Sequence, residues 1–328
     1  MNEYHLDGFR FDLMGIHDIE TMNEVSATLR AIDPSIFVYG EGWTAGSSPL
    51  PSEEQALKAN TYKMNQVAAF SDDLRDGLKG SVFRHEERGF VSQQGGLKES
   101  IKFGVVASTQ HPQVNYQAVN YSNAPWASEP SQTINYVSCH DNHTLWDKLT
   151  ISNPDAREEE LIQMHKLAET IVLTSQGVPF IHAGMEFLRT KQGVENSFES
   201  PDEINQIDWN RKEKFEAVFN YYKDLIALRK NHPAFRMTST EQIQKHLEFL
   251  DYSGENFLGY LLKDNANNDK WKEIVVLLNG SDLNKTINLP KGSWTLAADG
   301  KAVNENGLRK SGSTITVPAR TAFILHSN

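Results

Sequence analysis

Two short β-type runs, each closed by a carboxylate and joined by one amphipathic helix, constrain this chain more than any other feature. Leu6-Asp7-Gly8-Phe9-Arg10-Phe11-Asp12 alternates around Phe9 and Phe11 and reads as a strand over residues 6–12. Ile19, Met22, Val25, Leu29 and Ile32 then recur at helical spacing, and Asp33-Pro34 stops that helix. Ile36-Phe37-Val38-Tyr39 is a buried-strand run that closes on Gly40-Glu41-Gly42. A strand–helix–strand unit makes a parallel pair with a helical crossover, so Asp12 and Glu41 fall at the C-terminal edge of one sheet.

The pattern continues down the chain. Residues 66–70 read as a short strand before the polar run Ser71-Asp72-Asp73, where the two aspartates suit a solvated face or a helix N-terminus. Residues 97–107 read as a helix and 108–132 as a long polar loop. A strand over 133–139 ends in His140-Asp141-Asn142, and another over 178–183 ends at Ala183-Gly184. Between them, Asn153-Pro154 reads as the N-cap and first position of a helix whose opening turn holds Glu158 to Glu160. A further helix is predicted over about 212–230. These elements predict an α/β architecture: a partial (β/α)8 TIM barrel comprising about its last five strands. Eight strands close such a barrel, so three are unaccounted for, and a separate N-terminal barrel segment is the expected partner. From about residue 237 the apolar runs become short and β-rich, at Phe257–Leu262, Ile274–Leu278, Thr286–Leu289, Thr314–Val317 and Thr321–Leu325. This predicts a small all-β sandwich over 237–328 behind a catalytic portion over 1–236.

Strand-end carboxylates often only cap the following helix. Three of them together, Asp12, Glu41 and Asp141, suggest chemistry instead. Hydrolysis of a glycosidic bond needs a nucleophile or base and an acid flanking the bond, and a third carboxylate can stabilise the cationic transition state. Arg10 lies two residues before Asp12, so both side chains leave the same face of the strand. A guanidinium there would orient the carboxylate and hold it ionised.

The motifs carry a resemblance. Asp7-Gly8-Phe9-Arg10-Phe11-Asp12 resembles the nucleophile motif of the α-amylase superfamily of glycoside hydrolases. Tyr39-Gly40-Glu41-Gly42-Trp43 is similar to its acid/base motif in debranching enzymes, and Val137 to Asn142 to its third-carboxylate motif. Asp12-Leu13-Met14-Gly15-Ile16-His17-Asp18, Leu145-Trp146-Asp147, Gly184 to Lys191 and Asn205-Gln206-Ile207-Asp208-Trp209 resemble type I pullulanases. The resemblance implies hydrolysis of α-1,6 branch links in pullulan, amylopectin and related α-glucans by a retaining mechanism. It makes Asp12 the nucleophile, Glu41 the acid and then base, and Asp141 the transition-state stabiliser. Arg10, His140, Asn142 and Trp43 would contact the sugar. An α-1,4-acting amylase-like or isoamylase-like hydrolase is the rival within the class, and a non-catalytic glucan-binding remnant the rival outside it. A buried, Arg-paired Asp12 would suit attack, with the chain poorly active until the missing strands are supplied.

Bulk properties exclude other classes. The 328 residues carry a net charge of −11, a sign that repels phosphate backbones and argues against nucleic acid. No apolar run is long enough for a membrane span. Cys139 is the one cysteine, and its place at the end of an apolar run suits an inert, half-buried thiol. No sequence spacing for zinc or an EF-hand is present, so neither a metal nor a cofactor is expected.

Overall fold

A computed structural model describes residue 1 and residues 3–328. The N-terminal part is a five-stranded, all-parallel sheet in sequential order: β1 (Gly8–Phe11), β2 (Phe37–Gly40), β3 (Val67–Phe70), β4 (Thr133–Asn135) and β5 (Val178–Pro179). Each strand lies within its predicted range. The helices α1 (Ile19–Ile32), α2 (Asp72–Lys79), α3 (Lys98–Val105), α4 (Leu145–Ser152) and α5 (Glu158–Thr174) follow among the strands. One sheet face carries Val38, Val67 and Ala69, which pack with Met22 of α1 and the main core. The opposite face is aromatic and joins Phe37, Tyr39, Phe70, Tyr136 and Phe180. Alternation at period 2 produces this division, with odd positions of β2 on one face and even positions on the other.

Three readings of the sequence are corrected. Asn153 does not start a helix. It closes α4, with its side-chain amide donating back to the Leu149 carbonyl at 3.0 Å, and α5 starts after Arg157. α4 itself was hidden in a motif, although Thr144 caps it through its hydroxyl on the Asp147 N–H. The Ser71-Asp72-Asp73 run opens α2, with Ser71 as its cap and both aspartates in its first turn. Asp73, however, is fully buried rather than solvated, because it pairs with Lys58. The helix expected over about 212–230 breaks at Phe215 into segments Asn210–Lys214 and Glu216–Asn231.

The C-terminal part holds a six-stranded antiparallel sheet. It is built from β6 (Leu247–Leu250), β7 (Phe257–Leu262), β8 (Glu273–Asn279), β10 (Trp294–Ala298), β11 (Arg309–Ser311) and β13 (Thr321–Ser327). A two-stranded ribbon of β9 (Lys285–Asn288) and β12 (Thr314–Val317) lies across it. Ile287, Ile315 and Val317 of the ribbon pack on Val275, Leu277, Phe323 and Leu325. The other sheet face, with Val276, Leu278 and Ile324, joins the main core. Burial on both faces explains why β8 and β13 read as continuous apolar runs. The Tyr260 hydroxyl donates to the Thr174 carbonyl of α5 at 3.0 Å, tying this sheet to the helical layer. No helix among the described residues is long and apolar enough to cross a membrane.

Candidate active site

β1 and β2 pair in register Arg10 to Tyr39 and Phe11 to Gly40, so the residues that follow each strand, Asp12 and Glu41, emerge side by side. The Arg10 guanidinium joins them. Its Nη1 donates to Asp12 Oδ1 at 2.7 Å and its Nη2 to Glu41 Oε1. The Leu13 N–H donates to Glu41 Oε2 at 2.8 Å. Leu13 reaches that position in a left-handed conformation, φ 45° and ψ 43°, which costs a non-glycine residue about 1–2 kcal/mol. Strain at a residue bonded to a site carboxyl is where a functional constraint is expected. Close backbone packing fixes the other side. A Cβ on Gly42 would lie 2.5 Å from the Lys58 nitrogen, and one on Gly40 would lie 2.7 Å from the Phe11 carbonyl.

Glu41 and Asp12 differ sharply in solvation. The Glu41 side chain is 5% exposed, and burial raises its pKa. The Leu13 N–H and the Arg10 cation pull it down, while the charges of Asp12 and Asp141 push it up. A carboxyl held in this way is suited to proton donation. Asp12 is not the buried carboxylate expected, since its side chain is 70% exposed. β1 is the edge of the sheet among the described residues, so only one neighbouring strand shields it. Asp141 and His140 follow β4 and are also open, at 53% and 63%, with His140 Nε2 3.4 Å from Asp141 Oδ1. The carboxylates of Asp12 and Asp141 both act on Glu41.

A cavity of about 230 Å³ lies over this cluster, lined by Arg10, Glu41 and His140 and walled by Tyr39, Phe70, Tyr136 and Phe180. Trp43 and Cys139 also line it, and both reappear in an adjoining cavity of about 550 Å³ that holds Asp141 and Asn142. Asn142 stands in the left-handed region at φ 59°. All seven residues singled out from the sequence therefore line one or both cavities or, for Asp12, bond to a lining residue. The sequence reading missed Phe70, Tyr136 and Phe180. Their signal was one aromatic at or just after the end of each of three separate strands, visible only once the strands are aligned. Cys139 is half-buried, and burial pushes its thiol up, as expected of an inert group.

An aromatic trough with a few converging polar groups fits a polyhydroxylated ligand. Residues 243–302 match the family model "Pullulanase, all-beta domain". The pullulanase of Bacillus subtilis strain 168 is 43% identical over 281 residues, covering 86% of this chain and 38% of its own length. Over most of its own length the chain is therefore similar to pullulanases. The solved pullulanase from Bacillus acidopullulyticus superposes with a TM-score of 0.92 at 43% identity, covering 99% of this chain and 38% of that one. Pullulanase complexed with maltotetraose from Anoxybacillus sp. LM18-11 gives 0.89 at 38% identity, covering 100% and 44%. The chain thus spans less than half the length of these pullulanases.

Proposed function

We propose that this chain carries the catalytic carboxylates for hydrolysis of α-1,6-glucosidic branch linkages in pullulan, amylopectin and related α-glucans. The observation that supports this best is the single Arg10 fork holding Asp12 and Glu41 side by side. In a retaining mechanism Glu41 donates its proton to the leaving glycosidic oxygen while Asp12 attacks the anomeric carbon, forming a covalent glycosyl-enzyme. Glu41, now ionised, takes a proton from water, which displaces Asp12 and releases the sugar. Asp141 offsets the positive charge that develops at the anomeric carbon. Arg10, His140, Asn142 and Trp43 grip the sugar in the cleavage subsite. The reaction draws on no cofactor.

The finer architecture belongs to the same proposal. The sequential parallel sheet is an arc of an eight-stranded barrel over residues 1–236, and residues 237–328 form a sandwich behind it. The aromatic face is then the barrel interior, and the carboxylates sit at the C-terminal rim, where such barrels place their chemistry. β1 and β5 each have one neighbour among the described residues. A barrel segment pairing with those edges would close the arc and shield Asp12. The test is pullulan hydrolysis by this chain, alone and mixed with a polypeptide carrying the remaining part of the Bacillus subtilis relative. Maltotriose release, lost in Asp12→Asn and in Glu41→Gln, is the expected result. Panose as product would assign α-1,4 cleavage instead. Turnover unchanged in both variants would overturn the assignment of the carboxylates.

A further inference from the structure

Beside the cleft, three loops bring His85, His143 and Glu195 together. One ligand atom from each lies within 4.8 Å of the other two, and His85 Nε2 is 3.2 Å from Glu195 Oε2. His143 is 5% exposed, yet neither of its ring nitrogens has a hydrogen-bond partner. A buried imidazole normally satisfies at least one nitrogen, so this pair of unmet atoms demands an explanation. The His85 and His143 rings meet edge to face, 4.7 Å between centroids at 86°. The rings are thus in contact without stacking, and the convergence of their nitrogens rests on the ligand-atom separations.

The backbone beneath this cluster is fixed by two buried lysines. Lys148 Nζ donates to the carbonyls of Ser81 at 3.0 Å, Arg84 at 2.7 Å and His85 at 2.8 Å. Lys191 Nζ donates to the carbonyls of His140 at 3.0 Å and Glu195 at 3.1 Å. The nearby Asp147 carboxylate accepts from the Lys191 N–H and the Thr190 hydroxyl. The loops carrying all three side chains are thus anchored, as a preorganised site requires. Glu195 supplies a negative charge at the cluster itself.

We infer that His85, His143 and Glu195 form a binding site for a divalent transition ion, zinc by the nature of its ligands. Two imidazoles and one carboxylate are a zinc donor set, with a fourth position left to water. Bonds of about 2.1 Å in a tetrahedron set the ligands about 3.4 Å apart. The present separations, within 4.8 Å, would have to close by up to about 1.4 Å, which side-chain rotation can supply. Calcium is disfavoured, because it takes six to eight oxygens. His85 and Glu195 are partly exposed, which leaves a path for the ion. No spacing in the sequence reveals the site, since its ligands come from residues 85, 143 and 195. Those loops also supply Val82, Phe83, Asp141, Asn142 and Asn196 to the larger cavity, so a bound ion would cross-link three walls of the cleft.

The test uses the full chain without a histidine tag, stripped by chelator and dialysed against zinc sulfate, with bound zinc measured by mass spectrometry. One zinc per chain is expected, with affinity falling at least tenfold in His85→Ala and in Glu195→Gln. Both changes fall at partly exposed loop positions, and an unchanged circular dichroism spectrum checks that each variant is folded. Cobalt should replace zinc and give the visible absorption of a four-coordinate site in the wild type alone. No saturable uptake, or wild-type uptake in both variants, overturns the inference. So does loss of uptake in His140→Ala with retention in His85→Ala, which would move the ion to the cleft residues Cys139, His140 and Asp141.

Discussion

Replacing Lys58 by methionine tests whether the wall behind Glu41 is held by a buried ion pair. The Lys58 N–H donates to the Gly42 carbonyl at 2.9 Å, directly after Glu41. Its ammonium bonds to Asp72 and to Asp73, the latter at 2.8 Å. Asp73 is fully buried, and its Oδ2 also accepts from the Ser122 hydroxyl at 2.9 Å and the Trp126 indole at 3.3 Å. Burial works against the Lys58 charge, but the two carboxylates outweigh it and its pKa is raised. Lys58→Met would leave the Asp73 carboxylate buried with neutral donors only. Removing one partner of such a pair costs about 3–5 kcal/mol. Losing the more open Asp72 contact adds about 0.5 kcal/mol. With a urea m-value of about 3 kcal/mol/M for this size, the unfolding midpoint should fall by about 1.2–1.8 M. Tryptophan fluorescence reads that midpoint. Adding Asp73→Asn to Lys58→Met should recover part of the loss, because it removes the uncompensated charge. A shift below about 0.3 M, or a double variant less stable than Lys58→Met, would refute the buried-pair argument.

Three further outcomes follow from the same structure. Gly42→Ala sets a Cβ 2.5 Å from the Lys58 nitrogen, so it should cost about 1–3 kcal/mol by overpacking, read by urea denaturation. Glu41 has a folded pKa above the ordinary 4.5, so its stability contribution is full below 4.5 and is lost as pH rises through the folded value. Glu41→Gln should therefore raise the melting temperature at pH 7, with the gain closing as pH falls below 4.5, and a gain independent of pH would contradict this sign. Glu169 of α5 is buried with neither carboxylate oxygen partnered, and burial pushes its pKa up to about 8, with help from the Glu186 charge. Wild-type stability relative to Glu169→Gln should accordingly decline between about pH 4.5 and pH 8, as followed in a series of urea melts.

Legibility in the sequence tracked local signals. The five parallel strands were readable because each ends in punctuation: Asp12, Gly40, Ser71, His140 and Gly184. The site residues were readable because Arg10 and Asp12 are two apart on one strand and Glu41 sits between glycines. α2 was not readable, since Asp73, Arg75 and Asp76 are buried there in ion pairs and hydrogen bonds and Lys79 is buried beside them, against the usual apolar stripe. α4 was missed because Asn153 satisfies cap chemistry at either end of a helix, and only the Leu149 carbonyl it bonds decides which. β11 escaped notice because Arg309-Lys310-Ser311 is a polar edge strand that pairs with Trp294–Leu296. The exposure of Asp12 depends on its being carried by an edge strand, which no local pattern encodes.

The contrast between Asp12 and Glu41 gives Arg10 a sharper role than charge alone. Glu41 follows β2, which has β1 and β3 on its two sides, and Asp12 follows β1, which has one neighbour. Desolvation disfavours the Glu41 carboxylate, and exposure leaves Asp12 free to swing into water. One planar guanidinium opposes both tendencies, because its two Nη atoms bond different carboxylates at once. Lysine in its place keeps the positive charge but has no fixed fork, so it can hold one carboxylate only by releasing the other. Arg10→Lys should therefore leave the fold and the melting temperature nearly unchanged while lowering kcat on pullulan by about 100-fold, the scale of an ångström-sized misplacement of a reacting group. The measurement belongs in whichever assembly of the chain shows wild-type turnover. A loss of under about threefold would mean that positive charge, not the fork, sets the geometry of the pair.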